Sequence, residues 1–204
     1  MGEFLDIAED KGIEAVDFII DKITESKYFD GFPIISQVLG VIKAARVIPN
    51  YLYAKKTCAF LDGLKSDDMD CDTFSKAMKE LNQNPRKFEE ELLFLIEKAE
   101  NAEKANLLGY FTRLFALHSI SFDLYIFFTY VINNIQLSFL KQLSIDFTNK
   151  NKLSDSTLTG VLQSQGFVTK LVDIKDGNLN IGAQYSKQLD IFGQFLSNYF
   201  KEKE

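Results

Sequence analysis

The stretch LYIFFTYVINNI, Leu124 to Ile135, carries no charge and is apolar or aromatic at nearly every position. Leu124, Phe128, Val131 and Ile135 recur at helical spacing, and the residues between them leave almost no polar side, so the stretch predicts a helix at the centre of a bundle. Crossing about 30 Å of hydrocarbon takes roughly 20 apolar residues. This run is shorter than that, and the other apolar stretch, Phe32 to Pro49, is interrupted by Lys43 and Arg46. No transmembrane helix is expected. The break Ser119 to Ser121 precedes the stretch, and the helix is expected to run on, kinked at Asn133 and Asn134, to about Asp146.

Helical spacing recurs toward the N-terminus. Ile13, Val16, Ile20 and Ile23 form an apolar stripe, with Asp17, Asp21 and Glu25 at other angles, which predicts an amphipathic acidic helix. After Gly31-Phe32-Pro33, a second helix places Ile34, Val38, Val41, Ile42, Ala45 and Ile48 on one face. Pro49 is expected to end it and Asn50 to cap a third helix carrying Leu52, Tyr53, Phe60, Leu61 and Leu64. Asp72 reads as the N-cap of a short helix with Phe74, Met78 and Leu81 on one face. Asn84-Pro85 opens the next, with Phe88, Leu92, Leu95, Ile96 and Ala99 inside and Glu89, Glu90, Glu97 and Glu100 outside. A further helix spans Lys104 to about Leu117.

Beyond the polar stretch Thr148 to Lys152 the period changes. Leu158, Val161 and Leu162 predict a short helix closed by Gly166. Phe167 to Ile174 is alternating and β-branched, Asp176-Gly177 is a hairpin signal, and Leu179 and Ile181 resume the alternation. Asp190 is expected to cap a last helix with Ile191, Phe192, Phe195, Leu196 and Tyr199. The fold class read from these elements is mainly α: a helical bundle over residues 1–150 and a helix, β-hairpin and helix of winged-helix-like outline over 151–204.

Composition agrees with this. A chain of 204 residues buries roughly 70% of its unfolded surface and needs no disulfide or metal staple. The 19 Phe and 8 Tyr, with no Trp and 3 Pro, favour an aromatic core on long helices. Two cysteines, Cys58 and Cys71, without a CxxC pair, read as reduced thiols of a cytoplasm. The acidic start, with Glu3, Asp6, Glu9 and Asp10, is unlike a secretory signal, so no export is expected.

Candidate chemistry is sparse. Asp68, Asp70 and Asp72 alternate like a calcium loop, but Thr73 and Lys79 stand where the loop requires Gly and Glu. His118 is the lone histidine, which rules out a multi-histidine metal site, and its spacing with Leu108, Phe111 and Phe115 places it at the edge of the core as a structural residue. Nothing in the sequence brings it near Cys58 or Cys71 as an activating base. Glu89, Glu90 and Glu91 point about 100° apart on a helix and read as a solvated face. The sequence contains no GxxxxGK[ST], GxGxxG or GxSxG string. No catalytic residue, cofactor or metal is expected.

Charge is lopsided instead. Residues 1–30 hold the acids that give the whole net charge of −6, while Lys43, Arg46, Lys55 and Lys56 stand without an acid between Gly31 and Leu61. The first helix is therefore expected to pack by its isoleucine stripe close to the second and third. Its acids Asp17, Asp21 and Glu25 would face Lys43, Arg46, Lys55 and Lys56, with Tyr51 and Tyr53 beside them. That set is the candidate interaction surface.

Three stretches resemble a loose group of uncharacterised small helical bacterial proteins with a winged-helix-like tail. They are Pro33 to Leu64 with Tyr53, Lys55, Lys56, Phe60, Leu61 and Leu64; Ala105 to Leu114; and the tail from Leu162, where Leu189-Asp190-Ile191-Phe192-Gly193 stands for that group's Leu-Thr-x-x-Gly. The resemblance implies a bacterial cytoplasmic protein, of the kind produced by defence systems or mobile elements, and carries no catalytic residue over. The function expected is a non-enzymatic protein–protein interaction, with another protein or a second copy of the chain as partner. A winged-helix DNA-binding regulator is the first alternative. Nucleic acid is disfavoured because residues 151–204 hold six lysines against six acids. A peripheral protein lying on a membrane surface by its Lys43–Lys56 segment is the other alternative, and it is not favoured.

Overall fold

A computed structural model describes residues 15–25, 35, 39–40, 48–66, 68, 70–80, 85–148, 156–164, 166–175 and 178–203. The chain is mainly helical and divides into two compact units, Met1–Asn133 and Asn134–Glu204. The division falls within the Asn133-Asn134 pair, where a kink was expected, and not in the polar stretch after Thr148.

In the first unit α1 (Ala15–Glu25), α2 (Ile48–Leu64), α3 (Cys71–Glu80), α4 (Pro85–Lys98), α5 (Ala102–Ala116) and α6 (Phe122–Asn134) follow in order. Lys43, Arg46 and most of the expected second helix lie outside the described residues, as do Ile13 and the side chain of Val16. Pro49 stands in the first turn of α2, where a missing N–H is no loss, so Asn50 lies within that helix and does not cap it.

The centre of this unit is α5 and not α6. Residues 104–112 of α5 are buried without interruption, and the helix packs on α2, α3 and α4. Its closest approach is to α2. A Cβ on Gly63 would stand 2.0 Å from the carbonyl oxygen of Asn106, and one on Gly109 2.0 Å from that of Phe60. Two glycines thus let the two backbones touch reciprocally, and the Asn106 amide donates to the Ala59 carbonyl at 2.8 Å beside the crossing. Around this pair an aromatic cluster joins α4, α5 and α6. Phe115 stacks on Tyr125 at 5.1 Å, Phe111 meets Phe128 edge-on at 5.2 Å, and Phe88 lies 6.2 Å from Phe115. Tyr125 is fully enclosed, its hydroxyl 3.2 Å from that of Thr112.

Helix ends are closed by side chains whose positions depart from the expected ones. Asp70, not Asp72, caps α3 by accepting the Thr73 N–H at 2.7 Å. Asn101 caps α5 by accepting from the Lys104 N–H at 2.9 Å. Its far end closes on His118, whose φ is 57°, with the His118 and Ser119 N–H groups donating to the carbonyls of Phe115 and Leu114. That double bond pattern is a Schellman closure, a job usually given to glycine.

In the second unit α7 (Leu137–Thr148) packs on α9 (Lys187–Lys201). Between them in sequence come α8 (Ser156–Ser164) and two antiparallel strands, β1 (Val168–Lys175) and β2 (Asn178–Tyr185). The pairing runs from Val168 opposite Tyr185 to Lys175 opposite Asn178. Gly166, at φ 78°, ends α8 with the same double closure, the Gly166 and Phe167 N–H groups bonding to Gln163 and Leu162. Ser186 caps α9 by accepting from the Leu189 N–H, so Asp190 is a first-turn residue and not the cap.

Candidate functional site

The expected interaction surface is only partly assembled. Asp17, Asp21 and Glu25 are exposed on α1, whose Ile20 and Ile23 are buried and whose body packs on α2, as the stripe requires. Tyr51, Tyr53, Lys55 and Lys56 are half-buried on α2. Lys43 and Arg46 lie outside the described residues.

Lys56 is not available to a partner as a free cation. Its ammonium donates to the backbone carbonyls of Glu97 and Ala99, the second at 3.1 Å, so it caps the C-terminal end of α4 where the carbonyls lack helical partners. Burial holds its pKa below the ordinary lysine value, and the Glu97 carboxylate opposes that shift. Arg113 does the same for α2, donating to the Lys65 carbonyl at 2.8 Å while its guanidinium lies 4.9 Å from the centre of the Tyr110 ring. Tyr53 is pushed up to about 12 by burial and then by Glu97. Lys56 and Arg113 thus close helix ends within the bundle.

The thiols and the histidine form no reactive set. Cys58 is fully buried, and burial followed by the Asp62 charge drives its thiol far above the ordinary range, so it is held as a neutral thiol. Cys71 sits one turn from Ser75, with Sγ and Oγ 3.8 Å apart. His118 is exposed at the end of α5, not at the edge of the core. Its helical spacing with Phe115 fails because its own backbone has already left the helix. Among the described residues no three His, Cys, Asp or Glu side chains converge as metal ligands.

Two other features emerge that periodicity did not mark. The first is the outer side of α6, where Ile126 is 43% and Tyr130 52% exposed, one turn apart, while Tyr125, Phe128, Val131 and Ile132 on the other side are buried. Asp123 is exposed at the N-terminal end of this strip. The second is a cleft of about 350 Å³ between α7 and α9, lined by Lys141, Ser144, Ile145, Thr148, Ser197, Phe200 and Lys201. Periodicity puts Ile126 and Tyr130 on one helical side without telling that this side lies outward. The cleft was not legible, since its lining comes from two separate helices.

No helix among the described residues is long and apolar enough to cross a membrane. The chain matches no protein-family model, no curated protein and no solved structure.

Proposed function

We propose that this is a non-enzymatic interaction protein of a bacterial cytoplasm and that its partner, another protein or a second copy of the chain, docks on the outer side of α6. The exposed pair Ile126 and Tyr130 carries the reading. Large apolar side chains adjacent on a rigid helix are the anchors around which interfaces form, and a tyrosine adds a hydroxyl for a directional bond. Asp123 would supply part of the polar rim. The exposed Asp17, Asp21 and Glu25 and the net charge of −6 favour a basic partner by steering its approach.

The test compares tagged wild type with an Ile126→Asp/Tyr130→Asp variant, both expressed at native level. Wild type is expected in an assembly above monomer mass, and the variant at monomer mass with its melting temperature kept. A variant that melts much earlier would place the strip in the chain's own core and overturn the reading.

A second reading concerns the tail. The order α8, β1, β2, α9 supports a winged-helix-like element, and we infer that it contacts protein, because α8 contains no charged residue with which to meet phosphates. A salt titration of nonspecific duplex DNA is expected to show weak binding with a shallow slope. Tight binding with a steep slope would make the chain a DNA-binding regulator instead. The membrane-surface alternative is less supported, since Lys56 is engaged within the bundle.

A further inference from the structure

The cleft of the second unit has a polarity of its own. Ser197 donates to the Ser144 carbonyl at 2.9 Å, and a Cβ on Gly193 would stand 2.4 Å from the Phe147 ring, so α7 and α9 run antiparallel past one another. Advancing one turn from Ser197 along α9 and back from Ser144 along α7 brings Lys201 to the level of Lys141. Both cations therefore fall at one end of the cleft, and both side chains are exposed. Ile145, 52% exposed, and Phe200 line its length, while the Thr148 hydroxyl also donates to the Ser144 carbonyl, at 2.9 Å. The buried acid of α7, Asp146, accepts the Gln142 amide at 2.9 Å and is not part of the lining.

We infer that this cleft binds an organic anion with a medium-length apolar chain, such as a fatty carboxylate, its head between Lys141 and Lys201 and its chain along Ile145 and Phe200. A volume near 350 Å³ is at the small end of ligand sites. Two ammonium groups answer a carboxylate or a phosphate alike, so the selectivity of the cleft lies in its apolar flank. Two lysines alone would hold any small anion weakly. The apolar flank selects for a tail, each buried methylene adding about 0.8 kcal/mol. Binding requires no chemistry at the ligand and is independent of the α6 surface.

The probe is octanoate, followed by amide chemical shifts on the full chain. A single saturable site is expected, with shifts confined to residues 141–148 and 197–201. Acetate, which lacks the tail, and octanol, which lacks the charge, should each bind at least tenfold more weakly. Lys141→Glu/Lys201→Glu should weaken octanoate at least tenfold and leave octanol unchanged. The inference is overturned if acetate or inorganic phosphate binds as well as octanoate, if octanol matches it, or if its shifts map elsewhere. The three-ligand comparison on wild type decides the matter even if the variant unfolds.

Discussion

At the scale of single residues the clearest strain is at His118, a non-glycine residue held at φ 57° to close α5. The left-handed conformation costs an L-residue about 1 kcal/mol or more, and glycine avoids it. His118→Gly is expected to stabilise the fold by about 1 kcal/mol in denaturant unfolding, and destabilisation would mean that the imidazole itself contributes contacts. Tyrosine ionisation offers a second prediction. Burial pushes Tyr53 up to about 12 and Tyr125 higher still, while an unfolded phenol titrates near 10. Folded pKa values above unfolded ones mean that this contribution is intact below pH 10 and is lost as pH rises through the folded values. Unfolding followed by tyrosinate absorbance should show stability falling between about pH 10 and 12, and Tyr53→Phe with Tyr125→Phe should flatten that fall. Caps were poorly legible at this scale. Asp70 and Asp72 offer the same carboxylate, as Asp190 and Ser186 each offer an acceptor, and only the backbone leaving the helix decides which one caps.

At the scale of elements, the crossing of α2 and α5 is the joint on which the first unit depends. A methyl on Gly109 has backbone oxygen in its place, with no flexible side chain to yield, so Gly109→Ala is expected to cost about 3 kcal/mol by overpacking. Gly160 in α8 meets nothing within 4 Å and has no left-handed φ, so Gly160→Ala should instead gain about 0.5–1 kcal/mol. Thermal unfolding of the two variants checks the contrast, and equal effects would dissolve the close crossing. Its signature was present as Ala59 and Gly63 on one helix and Ala105 and Gly109 on the other. A reading built on large apolar residues passes over small ones, although these set how near two helices come. The same reading put α6 at the centre, because hydrophobicity records what can be buried and not how much neighbouring surface exists to bury it. Helices were legible because a period of 3.6 is local, as the start of α4 at Pro85 illustrates.

At the scale of the whole molecule the charge asymmetry was legible and its use was not. Lys56 and Arg113 look like surface cations in sequence, yet each closes the end of another helix, which only tertiary structure brings within reach. Among the described residues an acidic α1, the Ile126–Tyr130 strip, the single exposed side chains Leu52 and Phe94, and the cleft between α7 and α9 face outward. The central claim, that a protein partner docks on α6, is tested most directly by photo-crosslinking in the source cells. A photoreactive amino acid is placed at position 126 or 130 and, as an exposed control on α4, at Glu90. The account predicts one discrete protein adduct, the same from 126 and 130 and missing from 90. Adducts equally strong at all three positions, or none at 126 and 130, would contradict it.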